Sequence, residues 1–172
     1  MTGISRLLDA IDGISEFTGK AISWMCLAMI GVLLYEIAAR YFFLSPTSWA
    51  HESTTMLYGT FCILAGAYTH RHQAHVRSEV IYHVLTLRTR AVLDVITGGV
   101  MLVIFSVFFY IACQFALDSW QSQEVSSKST WGVPIYPFKT MLPLGVGLVL
   151  LQSFAHWIRD LRVAFNLTPE KA

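Results

Sequence analysis

Hydrophobic residues along this chain gather into four long, nearly unbroken runs, at roughly 21–44, 49–69, 91–117 and 138–158, with short polar segments between them. Each run is close to the ~20 residues that a helix needs to cross a hydrocarbon core. In lipid, such a segment satisfies its backbone polar groups only as a helix or within a closed barrel. Barrel strands alternate polar and apolar positions and are about half as long. The pattern therefore predicts an all-α membrane protein with four transmembrane helices, the whole of 1–172 forming one membrane domain.

Ahead of the first run, Ile4, Leu7, Leu8, Ile11, Ile14 and Phe17 recur at helical spacing, with Arg6, Asp9, Asp12 and Glu16 mainly on the other side. This predicts an amphipathic interfacial helix over 3–19. Its polar face is acidic, so packing against a partner membrane protein explains it better than attraction to anionic lipid. The acidic stretch and the length of the first run also argue against a cleaved signal peptide.

Composition agrees: 55% of residues are hydrophobic and 13% charged, with a net charge of +1. That balance points to no nucleic acid. Cys26, Cys62 and Cys113 all fall within runs without paired spacing, which leaves no disulfide or thiolate metal site. Basic residues do discriminate between the two sides. Arg71, Arg77, Arg88 and Arg90 crowd the middle connection, and Arg159, Arg162 and Lys171 follow the last run. The connections at 45–50 and 118–137 hold Lys128 alone. The positive-inside rule then places both termini and the middle connection in the cytoplasm.

Charged groups inside a bilayer call for a functional explanation. Glu36 and Arg40 stand four apart, the spacing of an intrahelical ion pair. The alternative is a proton or substrate site at Glu36. Gln114 and Gln152 could bond across helices, and Gly98, Gly99, Gly145 and Gly147 allow close helix approach. His70 and His156 fall at one depth, a pair on which a haem-b anchor of a respiratory complex could be built. His70, however, opens a charged loop and reads as solvated. No nucleophile, base and orienting acid share a depth and a face, so no enzyme activity is expected. No broken helix marks a midplane solute site either.

Several short motifs, taken in order, resemble one family. They are Arg40-Tyr41-Phe42, then Ser45-Pro46, Ser48-Trp49 and Glu52; Ala65-Gly66-Ala67-Tyr68 and His75-Val76-Arg77-Ser78-Glu79-Val80; and finally Tyr136-Pro137, Lys139, Leu142-Pro143-Leu144-Gly145 and Leu150-Leu151-Gln152. Their order and spacing are similar to the small, DctQ-type membrane subunit of tripartite ATP-independent periplasmic (TRAP) transporters. Ser78-Glu79 departs from the hydrophobic residue and Asp common there. The resemblance implies a scaffold that binds no cofactor. It would brace a large permease subunit, which carries an organic anion (carboxylate or sulfonate) with sodium. A periplasmic binding protein would deliver the solute. Arg40, Trp49, Glu52, Trp120 and Trp131 are the expected interface or docking residues, and His75, Arg77 and Glu79 form a loop motif. An autonomous proton-coupled transporter is the remaining reading, and the solute itself is not legible.

Overall fold

In the computed structural model, residues 3–72, 87–127 and 131–165 are described, with the side chains at 3–5, 87–88, 90–91 and 163 left aside. Within them the chain forms four long helices: α1 (Gly3–Tyr41), α2 (Ala50–Arg71), α3 (Leu87–Gln121) and α5 (Met141–Ala164). A single turn, α4 (Tyr136–Lys139), precedes α5. The helices lie in the spatial order α1, α2, α5, α3, with α5 packed against both α2 and α3.

By length and composition three helical stretches can cross a membrane: Arg6–Tyr41, Val92–Gln121 and Tyr136–Arg162. The 22 residues of α2 are long enough, but they carry His51, Glu52, Ser53, Thr54 and Thr55 at one end and Thr69, His70 and Arg71 at the other. Position explains the difference. Most of α2 is half-buried between α1 and α5, whereas α1 and α3 expose long apolar faces. A helix shielded by its neighbours presents less surface to lipid and tolerates more polar residues.

The first helix differs from expectation. No break separates a surface helix at 3–19 from the span that follows; α1 runs through 39 residues, about 58 Å at 1.5 Å per residue. That is nearly twice the ~30 Å hydrocarbon thickness. Its first half is held by the chain itself. Leu8 and Ile11 form a buried cluster with Ala155 of α5, flanked by Ile158.

Small residues set the helix contacts. Along α2, position 59 faces α4 and positions 63, 66 and 70 face α5, at steps of four, three and four, the spacing of a packing seam. Gly59 meets Phe138, Ile63 meets Gly145, Gly66 meets Val149 and His70 meets Ser153. On the other side of α5, Gly98 and Gly99 lie under Trp157 and Gly147 under Phe109. The Trp157 indole donates to the Val95 carbonyl at 3.0 Å. Gly19 of α1 admits the ring of Tyr68. Gly19 and Gly59 were not singled out from sequence, because a single glycine shows no partner until the helices are placed.

Candidate functional site

Polar side chains concentrate at the two ends of the bundle. At one end α1 turns into α2, and Glu36 organises the turn. Its Oε1 accepts from Arg40 at 2.7 Å, and its Oε2 accepts from the Thr47 backbone N–H at 3.2 Å and from the Thr47 hydroxyl. The Ser45 N–H bonds the Ala39 carbonyl at 3.1 Å. Leu44 takes a positive φ of 52°, a conformation that strains a residue bearing a Cβ. Tyr35 and Trp49 stack across the turn with ring centroids 5.6 Å apart. Glu52 lies half-buried in the first turn of α2. Thr47 was missed from sequence, since a turn threonine gives no sign of which carboxylate it will serve.

The connection between α3 and α5 folds back on the same end. Val125 and Pro134 form an antiparallel bridge, and Ser126 N–H bonds the Val133 carbonyl at 2.8 Å. Two clamps fasten it. The Trp120 indole donates to Thr140 at 2.9 Å, with its ring 4.6 Å from that of Tyr136. Lys139 donates to Glu124, which also accepts from Ser119 at 2.9 Å. Trp131 stands 44% exposed beyond these contacts.

The Lys139 ammonium, with help from Ser119, holds the Glu124 carboxyl below its ordinary value of 4.5. A carboxylate depressed by folding contributes stability above its unfolded value and loses it as pH falls through the folded one. Acidification below about pH 4 should therefore loosen this connection, seen as a change in Trp120 fluorescence. Lys139→Gln should remove that acid transition; an unchanged transition would contradict the clamp.

At the opposite end three helices meet in a second polar junction. Asp12 of α1 binds Arg159 of α5 at 2.6 Å and accepts from Gln152 at 2.9 Å. Gln152, fully buried, accepts from Ser15 at 2.8 Å. Glu16 binds Lys20 at 3.1 Å, His72 at 3.3 Å and Arg71. His70 sits 3.0 Å from the Ser153 hydroxyl. A cavity of about 470 Å³ between α1 and α2 is lined by Asp9, Asp12, Glu16, Phe17, Lys20 and Arg71. Its acids and bases largely pair with each other. Asp12 and Glu16 on the acidic face of α1 thus meet basic residues of their own chain. Gln152 joins helices, whereas Gln114, on the exposed face of α3, bonds Tyr110 one turn away.

Residues 29–163 match the family described as tripartite ATP-independent periplasmic transporters, DctQ component. The chain belongs to that family. It is a multi-pass inner-membrane protein and the small permease component of a TRAP transporter, not an enzyme. A large permease and a binding protein complete such a system. Comparison with curated proteins found no match.

Within the DctQ frame the expected interface residues all lie at the turn end. Arg40 is 58% exposed by side chain, Trp49 stacks on Tyr35, Glu52 opens α2, and Trp120 and Trp131 belong to the folded connection. The loop motif His75, Arg77 and Glu79 lies outside the described residues. His70 is not a solvated loop residue. It belongs to α2, and its ring stands edge-on to that of His156 with centroids 5.3 Å apart. An edge-to-face contact leaves no slot for a flat macrocycle between the rings, and both Nε2 atoms already face polar side chains. The residues present do not fit a haem.

Proposed function

We propose that the chain is a fixed brace in a sodium-coupled importer of an organic anion. It crosses the membrane four times with both termini in the cytoplasm and binds no cofactor. The large permease carries the solute and the sodium coupling. The turn end faces the periplasm, where Trp49, Glu52, Trp120 and Trp131 extend the surface on which the binding protein docks. α2 counts as the fourth span on this reading, because α1 and α5 shield its polar ends.

One observation carries the proposal: Glu36 and Glu124 at one polar end, and Asp12 and Glu16 at the other, are each bonded to partners within the chain. Glu36, the acid best placed along a span to carry a proton, is ligated by Arg40 and Thr47. Asp12 and Glu16 brace α1 against α5 and α2. A transport site needs groups that change partners, whereas a brace needs groups that keep them.

Trp131 offers a direct test of docking, because its ring stands 44% exposed in the folded connection. In lipid nanodiscs holding this chain and its large permease, Trp131→Ala should leave the two membrane subunits assembled. Affinity for the binding protein should fall about 30-fold, the size of a ~2 kcal/mol hot spot. Trp49→Ala should weaken docking too, but with some loss of stability from the Tyr35 contact. Unchanged affinity in Trp131→Ala would remove this loop from the docking surface.

A further inference from the structure

The hydrogen bonds around Gln152 dictate the protonation state of a neighbouring histidine. Gln152 is 0% exposed, and its carboxamide touches three side chains. Oε1 accepts from Ser15 at 2.8 Å; Nε2 lies 2.9 Å from Asp12 Oδ1 and 3.4 Å from His156 Nε2. Asp12 is the partner of Arg159 at 2.6 Å, and an ionised carboxylate only accepts. The nitrogen side of the amide must therefore face Asp12. Its second N–H then meets His156 Nε2, which has to offer a lone pair. Only a neutral imidazole with its proton on Nδ1 satisfies that arrangement.

We propose that this junction is a proton-sensitive clasp. With His156 neutral, Gln152 ties α1 to α5; a proton on His156 turns the amide and releases Asp12 from it. An imidazolium has two N–H groups and no lone pair, so it meets the amide donor to donor. Turning the amide by half a rotation gives Oε1 to the imidazolium but sets that oxygen against the Asp12 carboxylate. Ser15 serves either orientation, because a hydroxyl both donates and accepts. The buried amide therefore has two states, and one proton selects between them.

Other charged groups at this end frame the clasp. α1 contributes Asp9, Asp12, Glu16 and Lys20; α2 contributes His70 and Arg71, with His72 just past its end; α3 contributes Asp94; and α5 itself carries Arg159, Asp160 and Arg162. Asp12, the carboxylate bonded to Gln152, is already bound by Arg159, which limits what it offers a second cation, while Asp160 stands four residues along α5 from His156. Arg159 stands three residues along α5 from His156, on the same stretch of helix, and opposes another positive charge there. His70, edge-on at 5.3 Å, gains nothing from a charged neighbour.

The test is magic-angle-spinning NMR of the full chain, labelled with ¹⁵N at histidine and glutamine side chains, in lipid bilayers. At pH 8 the His156 signals, assigned by their loss in His156→Gln, should be those of a neutral ring protonated on Nδ1. At pH 5.5 they should become those of an imidazolium. The Gln152 carboxamide signal, assigned by its loss in Gln152→Leu, should shift with the same midpoint in the parent chain and stay still in His156→Gln. If His156→Gln loses its helical spectrum, His156→Asn serves both purposes. A ring protonated on Nε2 at pH 8, an imidazolium at pH 8, or a Gln152 signal that ignores pH would each overturn the clasp.

Discussion

Gly145→Val is expected to destabilise the isolated chain strongly. A Cβ built at Gly145 would lie 2.4 Å from the Ile63 methyl Cγ2 and 2.9 Å from the Ile63 carbonyl oxygen. A methyl group can rotate away, but a backbone carbonyl in mid-helix moves only if α2 moves. Overpacking of this kind costs about 1–3 kcal/mol for one added group and more for a branched one. Because α2 meets α5 along one seam, the shift would also spread to Gly59–Phe138 and His70–Ser153. Gly145→Ala should fall between the parent and valine. Gly31→Ala is the control, since nothing lies within 4 Å of its added Cβ; it should change stability by less than about 0.5 kcal/mol. Melting in detergent reads all three, and equal effects at 31 and 145 would refute the close approach of α2 and α5.

Gln152→Leu comes next in size. Leucine fills a similar volume but offers nothing to Ser15, which is 1% exposed, or to Oδ1 of Asp12. Hydrogen bonds between membrane helices contribute about 0.6 kcal/mol on average and up to ~1.7, while a buried polar group left without a partner costs about 1–3 kcal/mol. Asp12 keeps Arg159, so the penalty falls chiefly on Ser15. A loss of about 2 kcal/mol is expected in mixed-micelle unfolding. Combining it with Ser15→Ala should recover part of that loss, roughly 1 kcal/mol, because the orphaned hydroxyl is gone. Strict additivity of the two substitutions would mean that the hydroxyl and the amide do not interact.

The helices were legible in sequence because lipid imposes the simplest of patterns, long apolar runs of nearly fixed length. The Glu36–Arg40 spacing and the glycines at 98, 99, 145 and 147 were legible too, since both rest on helix periodicity alone. What lay hidden depends on contacts distant in the chain. The acidic face of the first seventeen residues gives no sign that Arg159, some 147 positions away, lies beside Asp12. The same holds for Thr47, Gly19 and Ser15, whose partners lie on other elements. His70 read as solvated because it opens a charged connection, yet α2 continues past the end of the apolar run to Arg71 and carries His70 against Ser153.

Solute uptake into proteoliposomes tests the scaffold most directly. Vesicles holding this chain alone, this chain with its large permease, and both with the periplasmic binding protein would be compared under an inward sodium gradient. Labelled carboxylates and sulfonates would be the solutes. The account predicts uptake in the three-component vesicles alone, lost when the sodium gradient is removed, and none by this chain by itself. Uptake by the isolated chain, abolished by Glu36→Gln, would show that Glu36 carries a proton and that the bundle is a transporter rather than a brace.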